Sequence, residues 1–234
     1  NPQLIFINQL DCVSKMNKLL TSMFALAVAS VTAFSAHAQE IKGDAKAGEQ
    51  KIAMCIGCHG IKGYQASFPE VYRVPMISGQ NAKYIVSSLN AYKKGERKHP
   101  TMRGISDTLT EQDMADLGAY YEQHAKSEPV TKTPKAPDAK VAALLQKGAC
   151  ISCHGDNFSK PIDPSYPKIA GQHKDFLFVA LKSYKVENQS TWGRNNGVMG
   201  GIAKQFSNAE LKAMSAYIAS LDGEMKVVPQ SKFR

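Results

Sequence analysis

The sequence predicts an all-α fold built from two tandem, related helical domains. Three observations predict it. Apolar residues recur at helical spacing throughout, and no segment alternates long enough to read as a strand. The second half of the chain repeats the first, block by block and in the same order. Between the halves lies Ser127-Glu128-Pro129-Val130-Thr131-Lys132-Thr133-Pro134-Lys135-Ala136-Pro137, which has three prolines and no apolar period.

The repeat is specific. Cys55-Ile56-Gly57-Cys58-His59-Gly60 returns as Cys150-Ile151-Ser152-Cys153-His154-Gly155. Pro75-Met76-Ile77-Ser78-Gly79-Gln80 returns as Pro167-Lys168-Ile169-Ala170-Gly171-Gln172. Ile85, Leu89, Tyr92 and Lys93 return as Leu177, Leu181, Tyr184 and Lys185. Met102 before Arg103-Gly104-Ile105 returns as Met199 before Gly200-Gly201-Ile202, and Tyr120 returns as Tyr217. These matches place the first domain at 39–128, the linker at 129–137 and the second domain at 138–234.

Each domain reads as helices joined by loops. Asp44 and Asp138 are N-caps for a first helix that runs into the cysteine pair. A middle helix carries Ile85, Leu89 and Tyr92 on one face, matched by Leu177, Leu181 and Tyr184. The last helix opens on a capping box, Thr110 with Asp113 and Ser207 with Glu210. Its buried faces are Met114, Leu117, Gly118 and Tyr121, and Leu211, Met214, Ile218 and Leu221. Domains of this size bury little apolar surface alone, so an inserted prosthetic group would complete the core.

Upstream, Met16-Asn17-Lys18 begins a positive stretch, an apolar run extends from Leu19 to Phe34, and Ala36-His37-Ala38 offers a small-residue cleavage site. That order is a secretory signal peptide, so residues 1–38 are expected to be removed and the protein exported. Removal takes away Lys15, Lys18 and Asp11 and changes the formal charge from +9 to +8. The lysines are spread along the chain without an Arg-rich or aromatic-interleaved tract, which argues against nucleic acid. An acidic protein surface or an anionic membrane surface remains as partner.

The four cysteines downstream of the leader all fall in C-x-x-C-H. This pentapeptide is the attachment signature of c-type haem. Two thiols a helical turn apart reach the two vinyl groups on one porphyrin edge, and the next residue offers an imidazole to the iron. Cys55 and Cys58, and Cys150 and Cys153, are thus expected to form thioethers, with His59 and His154 as iron ligands. A thioredoxin-like pair needs an α/β context that is absent. A shared zinc site would need a gap of about 15 to 20 residues between the pairs, and the gap here is far longer.

The sixth iron ligand is sought among methionines. Met76 faces Lys168 in the repeat, Met114 and Met214 lie on packing faces, and Met225 has no counterpart near the tail. Met102 and Met199 remain, both in glycine-bearing loops before the terminal helix. Histidine–methionine ligation raises the potential and suits electron carriage. His99, without a counterpart, and His173, matched to Asn81, read as surface residues. Pro75 and Pro167 offer either a carbonyl acceptor for the ligand histidine or a simple loop turn. Tyr84, Arg97, Trp192 and Arg194 are candidates for propionate contacts.

With these motifs the chain resembles the dihaem cytochrome c4 family, above all over Pro75 to Arg97. The resemblance covers nearly all of the chain beyond the leader. It implies two class I cytochrome c domains related by a pseudo-twofold axis, each a few helices around one covalent haem c. It implies a periplasmic electron carrier, not an enzyme, between a quinol-oxidising complex and a terminal oxidase. Carried over, Cys55, Cys58, His59 and Met102 serve one haem, and Cys150, Cys153, His154 and Met199 the other. The loop from Asn188 to Val198 is longer than its counterpart and reads as lacking an equivalent of Gly95-Glu96-Arg97. The competing reading is the haem subunit of an oxidoreductase, such as a sulfide-oxidising flavocytochrome. An open-iron haem enzyme is disfavoured, because no spare cysteine or duplicated distal histidine is present.

Overall fold

The computed structural model describes residues 41–125 and 135–229. The expected leader and most of the linker lie outside them. The first half contains α1 (Ala45–Glu49), α2 (Ala53–His59), α3 (Ala82–Lys93), α4 (Pro100–Asp107) and α5 (Glu111–His124). The second contains α6 (Ala139–Lys147), α7 (Ile151–His154), α8 (Lys174–Ser183), α9 (Gly197–Ala203) and α10 (Asn208–Ala219). Among the described residues the strands are two-residue pieces: β1 (Gln65–Ala66), β2 (Tyr72–Arg73), β3 (Arg97–Lys98) and β4 (Gly193–Arg194). No described helix is long and apolar enough to cross a membrane.

The helices start where the sequence places them. Asp44 accepts the amides of Lys46 and Ala47, and Asp138 accepts that of Val141. Both capping boxes close, Thr110 with Asp113 and Ser207 with Glu210. The first helix of each half does not run into the cysteine pair, however. It breaks first, at Gln50–Ile52 through tight turns and at Gly148–Cys150, where Ala149 has a φ of 47°. Methionines 102 and 199 lie in short helices, α4 and α9, rather than in loops. Pro100, well suited to a first helical turn, and the side-chain caps of His99 and Asn196 outweigh the glycines.

Each half has its own core. Ile52, Ile56, Ile85, Leu109, Met114, Leu117, Tyr120 and Tyr121 cluster in the first. Val141, Leu144, Leu145, Phe158, Leu177, Phe206, Leu211, Met214 and Ile218 anchor the second. Both predicted faces of the terminal helices are thus buried. In the first half α1 lies so close to α5 that a Cβ at Gly48 would fall 2.2 Å from the Asp116 carbonyl oxygen.

The halves meet about a pseudo-twofold axis. β3 pairs antiparallel with β4, and Arg97 lies opposite Arg194, its own counterpart in the repeat. A residue paired with its equivalent marks an isologous contact. Around it, Arg73 binds Asp175 through Nε at 3.0 Å and through its amide at 3.1 Å. Lys182 pairs with Glu70 at 2.7 Å. The tail of the second half crosses to the first, where the Lys226 amide donates to the Ser78 carbonyl at 2.9 Å.

Asp116, 2% exposed, ties the first half together. It accepts the Asp44 backbone amide at 2.8 Å, the Gln112 side-chain Nε2 at 2.8 Å and the Lys51 ammonium at 2.6 Å. Burial pushes its carboxyl up, but Lys51 and these donors outweigh that and hold it below the usual carboxylate range. A carboxyl depressed by folding adds stability in full above its unfolded pKa, about 4, and that stability is lost as pH falls through the depressed value. Asp116→Asn is therefore expected to cost roughly 1–3 kcal/mol at pH 7, and the cost should shrink as pH is lowered through the acid range, as read by denaturant unfolding across pH; a cost that stays constant however far the pH is lowered would refute this account.

Candidate functional site

Both sites are built on the same local plan. Cys55, Cys58 and His59 share α2, and the i, i+3 spacing sets the two sulfurs on one face. Cys150 precedes α7, which carries Cys153 and His154. All four thiols are unbridged. His154 is buried and His59 partly so.

The following loop fixes each imidazole. His59 Nδ1 donates to the Pro75 carbonyl at 2.8 Å, and His154 Nδ1 donates to the Pro167 carbonyl at 3.1 Å. This decides between the two readings of the prolines. A carbonyl only accepts, so Nδ1 carries the proton and Nε2 keeps its lone pair. Burial pushes both imidazoles below their ordinary pKa, against the opposing effect of the proline carbonyls. Neutral imidazole with Nε2 free is the form that binds metal.

The two methionines occupy matched positions. Each is three residues past a side-chain cap and donates its amide to it. Met102 bonds His99 Nδ1 at 3.4 Å and Met199 bonds Asn196 Oδ1 at 2.9 Å. His99 thus has a counterpart, Asn196, and acts as a cap rather than as a plain surface residue. Both methionines are part-buried. Met114, at 0% exposed, and Met214, at 4%, are core residues. Lys93 and Lys185, whose repetition had no stated role, donate to the carbonyls of Leu109 and Phe206 at 2.5 and 2.7 Å and hold the turn into each terminal helix.

Between the halves a cleft is lined by Tyr72, Tyr92, Arg97, Phe176, Trp192 and Arg194 among others. Arg97 bonds the Tyr84 hydroxyl at 3.0 Å, and Arg194 bonds the Tyr184 hydroxyl at 3.4 Å. Those two tyrosines are not matched in the repeat, but Arg97 lies over the rings of Tyr84 and Tyr92 just as Arg194 lies over those of their counterparts Phe176 and Tyr184, so Arg194 is the equivalent of Arg97 and the longer loop does keep the counterpart that the sequence had hidden. Burial would push the Tyr84 phenol up, but the charges of Arg97 and Arg194 outweigh it and hold it down to about 8. Among the described residues neither guanidinium is bridged to a carboxylate. Two half-buried cations without a counter-ion fit an anionic group at the cleft.

The donor set fits covalently attached haem: paired free thiols, an oriented neutral imidazole, a thioether on a separate helix, and cations for acidic substituents. A Cβ at Gly57, inside the first cysteine pair, would meet nothing within 4 Å, so that face of α2 is open. Sequence reasoning missed Asn196 and the equivalence of Arg194, although the offset shared with Met102 and Met199 would have found both.

Comparison with known proteins bears on the same residues. The family model described as cytochrome c matches residues 45–125 and again 139–222. The cytochrome c4 of Stutzerimonas stutzeri is 30% identical over 220 residues, which covers 88% of this chain and 100% of that protein. The cytochrome c4 of Pseudomonas aeruginosa is 31% identical over 213 residues, with the same coverage. A thiosulfate dehydrogenase electron acceptor of Stutzerimonas stutzeri is 27% identical over 201 residues, 82% of this chain and 89% of that one. The solved structure of reduced recombinant cytochrome c4 from Pseudomonas stutzeri superposes with a TM-score of 0.57 at 28% identity, covering 77% of this chain and 100% of that one.

Proposed function

The chain belongs to the cytochrome c family, in its dihaem cytochrome c4 branch, and from that premise we propose a residue-level account of how it carries electrons. It is an electron-transfer protein with two covalently bound haem c groups, not an enzyme. Cys55 and Cys58 hold one haem and Cys150 and Cys153 the other. His59 and Met102 would ligate the first iron, and His154 and Met199 the second. The haem iron supplies a reversible one-electron change. The chain's own residues do the rest. Proline carbonyls orient the imidazoles, capped helices present the thioethers, and Arg97 and Arg194 face the acidic haem substituents. Two fully ligated irons leave no open position for a substrate.

The observation that carries this reading is duplication of the whole constellation, from cysteine pair to proline carbonyl to capped methionine. The two matched segments also support domains at 39–128 and 138–234 around a linker at 129–137. Residues 16–38 act as the export signal, and the protein works in the periplasm. It passes electrons between a quinol-oxidising complex and a terminal oxidase, meeting acidic docking surfaces. A second reading, service to a dehydrogenase as its acceptor or haem subunit, is favoured by the thiosulfate dehydrogenase electron acceptor among the relatives.

Three measurements test the account. Protein matured in cells that attach haem c is expected to give two haems per chain by pyridine haemochrome and by mass, and Met102→Ala and Met199→Ala should each open one haem to imidazole; a single haem, or variants that bind no more imidazole than wild type, rejects the assignment. Loss of a side-chain cap costs about 1 kcal/mol, so Asn196→Ala should let imidazole displace Met199 roughly fivefold more readily with little effect on the first haem. The +8 charge should make electron exchange with the physiological partner slow steeply as salt rises from low to physiological strength, whereas a salt-independent rate removes the acidic docking surface from the account.

A further inference from the structure

We propose that each half's ligand histidine is tuned by a glutamine of the other half, acting through a single peptide group. Gln172 acts on His59 and Gln80 on His154. The proposal rests on the ligand assignment above and goes beyond it.

In the first half the acceptor of His59 is the carbonyl of the peptide joining Pro75 to Met76. The N–H end of that same peptide donates to Gln172 Oε1 at 3.1 Å, and Gln172 Nε2 donates back to the Met76 carbonyl at 2.9 Å. The second half mirrors this. His154 bonds the carbonyl of the Pro167–Lys168 peptide, whose N–H donates to Gln80 Oε1 at 2.9 Å. Gln80 Nε2 donates to the Lys168 carbonyl at 2.9 Å.

The amide orientation is fixed, not arbitrary. Gln80 Oε1 also accepts the Asn81 amide at 3.0 Å, and Gln172 Oε1 also accepts the His173 amide at 3.0 Å. Both Nε2 groups turn to one shared sulfur, Met225 Sδ, at 3.2 Å from Gln80 and 3.7 Å from Gln172. Both glutamines are 4% exposed and Met225 is 3% exposed. Met225, which the sequence left without a partner, serves both halves at once from the crossing tail.

A peptide group is one resonant unit. A hydrogen bond donated from its N–H end draws electron density toward its oxygen and strengthens that oxygen as an acceptor, by roughly 10–30% per bond. The Pro75 carbonyl therefore pulls harder on the His59 Nδ1 proton when Gln172 is in place. The imidazole becomes more electron-rich at Nε2, which favours oxidised iron and lowers the potential. Water entering this buried interface cannot replace the glutamine without reorganising it.

The test is a redox titration of the full-length holoprotein, with proton NMR of the ligand histidines in the reduced state. Gln172→Leu is expected to raise the midpoint of the first-half haem and leave the second in place, and to weaken the bond reported by the His59 Nδ1–H resonance. Gln80→Leu should do the reverse. Gln172→Glu keeps an oxygen acceptor for the Met76 amide, so its first-half midpoint should stay at or below wild type. A purely structural role would instead admit water at both haems and shift both midpoints together. The proposal is overturned if Gln172→Leu moves neither midpoint, moves both alike, or is matched by Gln172→Glu. Failure of the ligand assignment is distinguishable, since it shows in the wild type as a missing haem or unchanged imidazole binding.

Discussion

Each half is organised around one hydrogen bond, from a helix-borne imidazole to a proline carbonyl in the loop that follows. For that bond to form, the chain must leave α2 or α7, turn, and return the proline over the histidine. The return is anchored identically twice. The Gly79 amide donates to the Tyr121 carbonyl at 2.7 Å and the Gly171 amide to the Ile218 carbonyl at 3.0 Å, so each loop is pinned to its terminal helix. Both glycines have positive φ, 89° and 71°, and a Cβ at Gly79 would fall 2.8 Å from the Glu224 carbonyl oxygen. Only glycine meets both demands at low cost. The terminal helix thus positions the carbonyl, the carbonyl positions the ring, and the ring presents Nε2.

The halves keep this plan while differing in how they are stabilised. The first fastens its short α1 to α5 with the polar cluster of Asp116, Lys51 and Asp113. The second has a longer α6 whose Val141, Leu144 and Leu145 enter the apolar core. The contrast extends to the loop, where Met76 stands opposite Lys168. The glutamines read only the N–H and C=O of these residues, so the side chains are free to diverge. Lys168 uses that freedom to pair with Glu224 at 2.6 Å and to reach the Gly79 carbonyl at 3.0 Å.

What the sequence disclosed follows from range. Caps, capping boxes and buried helical faces depend on residues three or four apart, and Asp44, Asp138, Thr110 and Ser207 all behave as read. The repeat exposed the cysteine pairs, the histidines and the paired methionines, because equivalent residues face equivalent demands. The helices around Met102 and Met199 were hidden by Gly197, Gly200, Gly201 and Pro100, whose low propensity is outweighed by a cap and by packing. Arg194 was hidden by an insertion that shifted its loop, and the β3–β4 pair by its length of two residues. Met225 could not be found by comparing halves, since a residue near the pseudo-axis acts for both and occurs once.

The contact between the halves shows how such a pairing is held in register. At its centre two guanidiniums approach across β3 and β4, an unfavourable pair in itself. Aromatic rings offset it: Arg97 lies 5.1 Å from the Tyr84 ring centre, and Arg194 lies 5.4 Å from that of Tyr184 and 5.5 Å from that of Phe176. The carboxylates stand further out, on Arg73 and Lys182, where Asp175 and Glu70 meet them. Keeping acids away from the middle preserves a positive field there, while directional bonds from Gln80, Gln172 and the β-pair fix the register. Electron exchange between two sites in one chain needs a constant separation rather than high affinity. Backbone-directed hydrogen bonds supply that constancy in a way that a sliding apolar surface does not.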